Sequence, residues 1–490
     1  MRTVLLMVGI KEFLIVFNPT AMFFLASIGG FDFRQTVAMS ILVLFISATL
    51  LYWQFRVAFA LLGVAALFFL GLIDLRNFIF FAQLDVIVFL VGMMTVIGIL
   101  EERHFFDYLL DTIGSRIRSG AVLYAMVLFM AAFMAALVDE VTSIIFITLF
   151  IVKIADRLKM DPVPLVLAAV FTTNVGSSAT VVGNPIGVIV ALRGGFTFTD
   201  FLTWAAPNAL LVLLASIVAS LVLWRDYVAE MNAKVGKAGI RLEISDEIRK
   251  LQLVNWLLFL GTIGMLILHH PLEEQLEVLL GKEKGSMKNV LLVATPMLWS
   301  GIGLLLERHR AREIVTQRVD WWTLLFFLLL FSTVGTLKYT GASVKMGEYI
   351  VSLGSLVGNA VGSVETGTLL TVFAAQGVLT AFLDNVLAIA VLIPVVFSLY
   401  ESKGWNVFAM FWALLFSGTM AGNYTPIGST ANIIALGLME KKGKKISFGY
   451  WIKYAIPIAT LQVLISLLWL NLVIEPRAPA DYKPPPLATE

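Results

Sequence analysis

Apolar stretches of about 18 or more residues recur along this 490-residue chain, and each is long enough to cross a bilayer as an α-helix. Hydrophobic residues make up 59% of the chain and charged residues 14%, where soluble domains carry about 25% charged residues. The apolar stretches are continuous and not alternating, which argues against a transmembrane β-barrel. This composition excludes a soluble enzyme, a nucleic-acid binder and a disordered chain, and it predicts an all-α polytopic membrane protein.

Length alone predicts about eleven transmembrane helices. They lie near residues 4–29, 36–53, 57–73, 86–100, 163–190, 201–224, 253–270, 288–305, 321–337, 407–436 and 450–474. The first has no compact apolar core followed by a cleavage site, so we interpret it as a membrane helix and not as a signal peptide. Two further stretches, 119–157 and 367–400, could each form two helices but contain only a very short polar break. We interpret each as a re-entrant hairpin whose tip lies inside the membrane.

The two hairpin stretches belong to an internal repeat. Asp139 and Asp384 lie 245 positions apart, and the segment that starts at Ala168 matches the segment that starts at Ala413 with the same offset. This indicates a duplication of about 150 residues. The predicted organisation is N-terminal membrane helices (1–84), a first repeat (85–224) with its hairpin tip at 139–141, a connector with two helices (225–319), a second repeat (320–475) with its hairpin tip at 384–386, and a disordered tail (476–490).

The loops predict that the two repeats are inverted. The loops 225–250 and 307–318 are rich in Lys and Arg, which indicates the cytoplasmic side. Counting spans from these loops places the flanks of the first hairpin inside and those of the second hairpin outside. The prediction is a multi-pass protein of the cell (inner) membrane, with a cytoplasmic N-terminus and an external C-terminus. Inverted repeats with broken helices are typical of secondary transporters.

The hairpin tips carry the candidate coupling-ion residues, Asp139, Glu140, Asp384 and Asn385. A carboxylate inside the membrane costs about 2.5–3.5 kcal/mol or more, so it needs a reason to be there. One reading is a buried carboxylate that is hydrogen-bonded to helix ends and holds the hairpin closed. The reading we favour is a group that binds a cation or carries a proton.

Each hairpin is followed by a segment in which Gly and Pro interrupt a helix among hydroxyl and amide side chains. Such breaks free backbone carbonyl and N–H groups that suit Na⁺ and oxyacids. Packing of small residues between helices is the alternative reading, but the occurrence of two copies favours a site. The predicted substrate-binding residues are Asn174, Gly176, Ser177, Ser178, Thr180, Asn184, Gly422, Asn423, Thr425, Ser429, Thr430 and Asn432.

Two absences in the sequence narrow the chemistry. The chain has no cysteine, so thiolate chemistry and cysteine-bound metals are excluded. The stretches 119–152, 162–192, 367–402 and 406–439 contain no Lys or Arg. This favours cations, monovalent anions or neutral hydroxylated solutes over multiply charged anions. We expect no cofactor, with Na⁺ or H⁺ as the coupling ion and no metal site beyond one for Na⁺.

The hairpin motifs LVDEV and FLDNV, each followed by a Gly- and Asn-rich broken helix, resemble the ion transporter superfamily. The segments FTTNVGSSATVVGNP and GNYTPIGSTANIIALGLMEKKG are similar to the paired signatures of its branch of ArsB-type arsenite permeases and the pigmentation P protein, with the NhaD antiporters more distant. The resemblance covers about residues 35–475. It implies eleven or so spans, two hairpins, and a scaffold domain that holds a transport domain moving like an elevator.

The resulting hypothesis is a secondary active transporter and not an enzyme. Arsenite or antimonite, or a related small oxyacid or anion, would be exported with a proton or sodium gradient as the driving force. A sodium/proton antiporter that uses the same carboxylates and an anion channel are the alternatives. The expected partners are the lipid bilayer and a small-molecule or ion substrate, and no nucleic acid. A homodimer and, for an arsenite-specific protein, a soluble ATPase subunit are further candidates.

Overall fold

The computed structural model describes residues 2–114, 119–238 and 252–485, and these residues form helices and no strand. The all-α fold class is therefore confirmed. The main helices are Arg2–Ile28, Phe33–Leu51, Arg56–Phe69, Leu75–Phe81, Leu84–Glu102, Phe105–Gly114, Gly120–Leu137, Glu140–Leu158, Val163–Ser177, Pro185–Gly194, Ala206–Leu223, Arg225–Ala238, Gln252–Leu279, Val290–Leu306, Ala311–Gln317, Trp321–Tyr339, Ala342–Val361, Val364–Phe382, Asn385–Lys403, Phe408–Met420, Thr430–Lys441 and Phe448–Trp469.

Ten stretches of the described chain are helical, long and apolar enough to cross a membrane. Four shorter apolar helical stretches add to them, namely Trp53–Phe69, Val163–Ser177, Pro185–Gly194 and Val290–Leu306. The spans predicted near 163–190 and 407–436 are each formed by two helices, because Gly and Pro interrupt the chain where the sequence placed a break. Each of the roughly eleven predicted spans and two hairpins thus corresponds to helices in the structure, although some spans are shorter helices and two are pairs of helices.

One long helix, Ala342–Val361, was not among the predicted spans. Lys345 and Glu348 lower its mean hydropathy, so a search for continuous apolar residues passes over it. Its buried face consists mostly of small residues, including Ser343 and Gly347. The Ser398 hydroxyl on the second hairpin donates to the Ser343 carbonyl at 3.1 Å. Close packing of small residues, and not hydrophobicity, holds this helix.

Both hairpins consist of two helices joined by two residues. The first hairpin has the arms Gly120–Leu137 and Glu140–Leu158, and the second has the arms Val364–Phe382 and Asn385–Lys403. Both arms of the first hairpin pack on the helix Val163–Ser177. A connection this short forces the arms to run back along one another, as the sequence predicted.

The chain forms two compact units. The first unit comprises Met1–Ile87, Asp320–Gln376 and Val386–Phe411, and the second comprises Val88–Val319, Gly377–Asn385 and Trp412–Glu490. These units describe packing, whereas the predicted boundaries describe a sequence repeat, so the division into repeats stays a prediction.

In the first unit, the helix Trp321–Tyr339 packs on its neighbours Phe33–Leu51, Arg56–Phe69 and Leu75–Phe81. The buried Arg56 guanidinium lies over the ring of Trp53, 4.2 Å from its centroid, and donates to the Thr323 hydroxyl. Aromatic faces and a hydroxyl thus surround a cation among apolar helices.

In the second unit, the broken helices come together with the first hairpin and the second hairpin's tip. The first broken helix is Val163–Ser177 followed by Pro185–Gly194, and the second is Phe408–Met420 followed by Thr430–Lys441. Residues Phe408–Phe411 of the second broken helix are part of the first unit. The helices Ala206–Leu223 and Phe448–Trp469 pack on each other in the second unit.

The C-terminal segment, predicted as a disordered tail over 476–490, packs as far as residue 485. The Tyr482 hydroxyl donates to the Gly194 carbonyl at 2.7 Å, and its ring stacks on Phe196. Residues 486–490 lie outside the described part of the chain. Several of the basic loop residues behind the predicted orientation also lie outside it, namely Arg116, Arg118, Arg241, Arg249 and Lys250.

Candidate ion and substrate site at the hairpin tips and broken helices

The first hairpin tip is held by a helix cap. Asp139 precedes the helix Glu140–Leu158, and its carboxylate accepts a hydrogen bond from the Thr142 backbone N–H at 2.8 Å. This is the usual role of Asp at a helix N-terminus, where the first N–H groups have no partner within the helix. The Glu140 N–H donates to the Gly183 carbonyl at 3.0 Å, which ties the tip to the first broken helix.

Glu140 is the most informative of the four predicted coupling-ion residues. Its side chain is buried, with 2% of its surface exposed, and it accepts hydrogen bonds from the Ser177 hydroxyl at 3.2 Å and from the Asn385 amide at 3.4 Å. Positions 140 and 385 are equivalent in the repeat, since they lie 245 positions apart. Two equivalent positions of the predicted repeat therefore contact each other.

The second tip carries Asp384 and Asn385, which are 3% and 2% exposed. Asp384 accepts a hydrogen bond from the Thr430 hydroxyl at 2.8 Å. The Asn385 side-chain oxygen is buried and has no hydrogen-bond partner among the described residues. An unpaired buried amide oxygen beside carboxylates is costly to leave alone, and it is a ligand that suits a small cation.

The two helix breaks use equivalent positions. The first broken helix resumes at Pro185, where the Asn184 oxygen accepts from the Gly187 N–H at 2.7 Å. The second resumes at Thr430, where the Ser429 oxygen accepts from the Ala431 N–H at 3.3 Å. Positions 184 and 429 differ by the repeat offset of 245.

A second equivalent pair ties each hairpin to its broken helix. The Thr180 hydroxyl donates to the Ala136 carbonyl, and the Thr425 hydroxyl donates to the Ala381 carbonyl. Both carbonyls lie at the end of a hairpin's first arm, where a helix leaves its last carbonyls without a partner in the helix. These two threonines, predicted as substrate ligands, are engaged in holding the tips in this structure.

Three of the predicted asparagines and one glutamine form a hydrogen-bonded group, which we name the amide cluster: Asn174, Asn423, Asn432 and Gln462. Asn174 donates to Asn423 at 2.6 Å and to Asn432 at 3.0 Å. The Ser429 hydroxyl donates back to the Asn174 oxygen at 3.0 Å. The cluster therefore joins the two broken helices, as the prediction of a shared site requires.

Gln462 is the member that the sequence analysis missed. It lies on the helix Phe448–Trp469, accepts from Asn423 at 2.8 Å and donates to the Ser216 hydroxyl at 3.0 Å. The available signal was a single buried amide in an apolar span. It was overlooked because that span lies outside the paired motifs.

The remaining predicted residues take local roles. Gly176 lies against the backbone of Ala132, the Ser178 hydroxyl bonds to the Val175 carbonyl of its own helix, and the Gly422 carbonyl accepts from Asn432. The predicted residues of both repeats thus lie in the second unit. Some of them, such as Gly176 and Ser178, contact residues of their own repeat.

The side-chain atoms at the hairpin tips that could bind an ion are mostly oxygens. Among the described residues, no group of three or more His, Cys, Asp or Glu could hold a metal ion. The carboxylates of the tips, the Asn385 oxygen and nearby hydroxyls suit a proton, or Na⁺ with a mixed set of oxygens. The stretches around them contain no Lys or Arg.

Comparison with known proteins gives consistent matches. The family model described as citrate transporter (CitMHS) matches residues 42–375 and 353–483. An uncharacterized transporter of Mycobacterium tuberculosis, Rv2684, is 29% identical over 426 residues, which cover 84% of this chain and 92% of that protein. The P protein of Mus musculus is 25% identical over 511 residues, which cover 90% of this chain and 61% of that protein.

Two solved structures share the fold. The YdaH transporter of Alcanivorax borkumensis has a TM-score of 0.58 at 15% identity, covering 84% of this chain and 88% of that chain. Neisseria gonorrhoeae MtrF, described with a class of antimetabolite efflux pumps, has a TM-score of 0.50 at 16% identity and covers 84% of each chain.

Proposed function

Because this chain belongs to the citrate transporter (CitMHS) family and is a multi-pass membrane transporter, we propose that it is a secondary active transporter driven by a proton or sodium gradient. Asp139, Glu140, Asp384 and Asn385 would carry the coupling ion. The predicted residues of the broken helices would bind the substrate. An elevator-type movement, the inner-membrane location and the cytoplasmic N-terminus are part of the same proposal.

The contact between Glu140 and Asn385 carries this proposal. A buried carboxylate at the point where the two copies meet can respond to both of them. If a proton or Na⁺ binds there, it changes the charge that both tips experience. An ion bound at this point would therefore affect the two hairpins together, as coupled transport requires.

For the substrate we propose arsenite or antimonite, exported in the neutral hydroxylated form. Arsenous acid is neutral at pH 7 and can be held by hydroxyl and amide groups without a basic side chain. The family's description makes citrate the second candidate. A free citrate anion would have to be neutralised by helix ends or by bound cations, since Lys and Arg are absent from the four stretches.

Purified protein in proteoliposomes tests the proposal. With a proton or Na⁺ gradient imposed, we expect accumulation of arsenous acid or antimonite that collapses when the gradient is dissipated. Citrate accumulation under the same gradient would replace the leading substrate. Proton flux on addition of Na⁺ alone would favour the sodium/proton antiporter.

A channel is separated from a transporter by the same preparation. The variants Asp139→Asn and Asp384→Asn should abolish gradient-driven accumulation. An anion current that both variants leave unchanged would identify a channel and contradict coupling. Uptake of arsenite by everted vesicles that responds neither to a proton gradient nor to Na⁺ would contradict the proposed mechanism.

A further inference from the structure

The amide cluster uses up its hydrogen-bond donors within the protein. An Asn or Gln side chain has two N–H donors and one oxygen with two lone pairs. Asn423 donates to the Phe171 carbonyl at 3.2 Å and to Gln462 at 2.8 Å. Asn432 donates to the carbonyls of Gly422 and Thr425, both at 2.9 Å. Each of these NH₂ groups therefore has no donor left for a ligand.

The NH₂ groups of Asn174 and Gln462 also use both of their donors within the protein. Asn174 donates to the oxygens of Asn423 and Asn432. Gln462 donates to the Ser216 hydroxyl and, at 3.4 Å, to the Phe171 carbonyl. Each of the four side-chain oxygens accepts a hydrogen bond within the cluster or from Ser429, and each has a second lone pair. The cluster can only accept further hydrogen bonds or bind a cation.

Backbone carbonyls fix this polarity. A carbonyl cannot donate, so the NH₂ groups of Asn423, Asn432 and Gln462 must face the carbonyls beside them. With these three fixed, the Asn174 NH₂ group must face the oxygens of Asn423 and Asn432. Rotating one amide by half a turn would bring two oxygens together in a buried place, which costs free energy. The orientation therefore follows from the fold and not from an arbitrary assignment of nitrogen and oxygen.

We propose that Gln462 is a positioning residue that occupies the second donor of the Asn423 amide, so that the broken helices present oxygens and the site selects hydrogen-bond donors and cations over anions. The Gln462 oxygen takes one Asn423 donor at 2.8 Å, and Ser216 holds Gln462 in turn. Without this acceptor, an Asn423 N–H is released and can bond to an anion. This inference rests on the proposed function and assigns the ligand class of the same site.

Ligand binding to the purified full-length protein in detergent tests the inference. The probes are arsenous acid and boric acid as neutral hydroxyl donors, Na⁺ as a cation, and citrate as an anion. We expect the unaltered protein to be stabilised against heat by the donors or by Na⁺ at lower concentrations than by citrate. Equal stabilisation by citrate, or by none of the probes, would overturn the inference.

Three variants separate positioning from simple support. Gln462→Met keeps the side-chain volume and removes the acceptor, so the preference for donors over citrate should fall roughly tenfold, the effect of one buried hydrogen bond. Gln462→Glu keeps an oxygen for Asn423 but adds a negative charge that itself repels citrate, so its test is the neutral probe: arsenous acid should stabilise it at the same concentrations as the unaltered protein. Ser466→Ala removes the 3.1 Å hydrogen bond from Asn208, which joins the same pair of helices, and should leave the preference unchanged.

The outcomes distinguish this inference from the proposed function. If Gln462→Met lowers stability as Ser466→Ala does but keeps the ligand preference, Gln462 is only structural and the inference is wrong. If the preference changes as expected but proteoliposomes show no gradient-driven flux, the inference stands and the proposed transport mechanism fails.

Discussion

The two hairpin tips share a two-residue connection and have unlike chemistry. Both begin with Asp, and both are tied to their broken helix by a threonine hydroxyl at an equivalent position, Thr180 or Thr425. The next residue is Glu140 in the first tip and Asn385 in the second. The exposure of the aspartates also differs, since Asp139 is half-buried and Asp384 is buried.

This difference indicates that the two copies of the predicted repeat keep the same contacts at the helix ends, whereas the extra charge belongs to the first tip alone. The equivalent hydrogen bonds satisfy helix ends, which any copy of the fold must do. The extra carboxylate of Glu140 has no such backbone role and bonds to Ser177 and Asn385. The amide cluster is one-sided too, because Ser178 occupies in the first repeat the position of Asn423 in the second.

Among the variants that compare the residues following the two aspartates, Glu140→Gln is expected to have the largest effect. Glutamine keeps the size and one acceptor oxygen but removes the charge, so gradient-driven flux should fall by roughly tenfold or more, as expected for loss of a charged hydrogen-bond partner. Flux into proteoliposomes measures this. Glu401→Gln, a change at an exposed carboxylate of the first unit, is the control and should transport normally. Full coupling in Glu140→Gln would show that the difference between the tips has no role in transport.

The next test moves the charge from one tip to the other. Because Glu140 and Asn385 contact each other, adding Asn385→Asp to Glu140→Gln returns a carboxylate to the same contact. We expect partial recovery of flux, several-fold above Glu140→Gln alone, in the same proteoliposome assay. No recovery would mean that the first tip needs its own charge and that the copies are not interchangeable.

A stability comparison addresses the helix crossing behind each tip. A Cβ on Gly176 would lie 2.0 Å from the Ala132 carbonyl oxygen, whereas a Cβ on Gly377, which is equivalent to Ala132, would lie 2.8 Å from the Ser417 hydroxyl. Backbone cannot move aside as a side chain can, so Gly176→Ala should destabilise the protein by about 1–3 kcal/mol or more and Gly377→Ala by less. Thermal unfolding in detergent measures both. Equal losses would contradict this ranking.

The smallest effect is expected at the helix caps. Asn184→Ala removes the 2.7 Å cap on Gly187, and such a loss costs about 0.5–2 kcal/mol. Ser429→Ala removes a longer cap at 3.3 Å. Hydrogen exchange in the first turn of Pro185–Gly194 should therefore speed up more in Asn184→Ala than exchange in the first turn of Thr430–Lys441 does in Ser429→Ala. Asn184→Ser keeps a capping oxygen without adding a buried charge, so its hydrogen exchange should stay closer to that of the unaltered protein. Unchanged exchange in Asn184→Ala would show that this cap does not stabilise the first turn of Pro185–Gly194.

Much of the fold could be predicted because membrane helices must be long, apolar and internally hydrogen-bonded. The hairpins and broken helices were placed correctly, since Asp139, Asp384 and the Gly and Pro residues interrupt otherwise apolar runs. The helix Ala342–Val361 was missed because small residues pack it, and small residues carry little hydropathy signal. Gln462 was missed because its partners lie on other helices.

The sequence by itself determined that this chain spans a membrane, that it contains two related halves, and that carboxylates and amides interrupt its apolar stretches. Local composition and the repeat offset suffice for these conclusions, because they depend on the chain's own order. Only the tertiary structure decided that Glu140 contacts Asn385 and that Asn174, Asn423, Asn432 and Gln462 satisfy one another's donors. These contacts join residues up to 258 positions apart, and only the folded chain fixes how such distant groups pair.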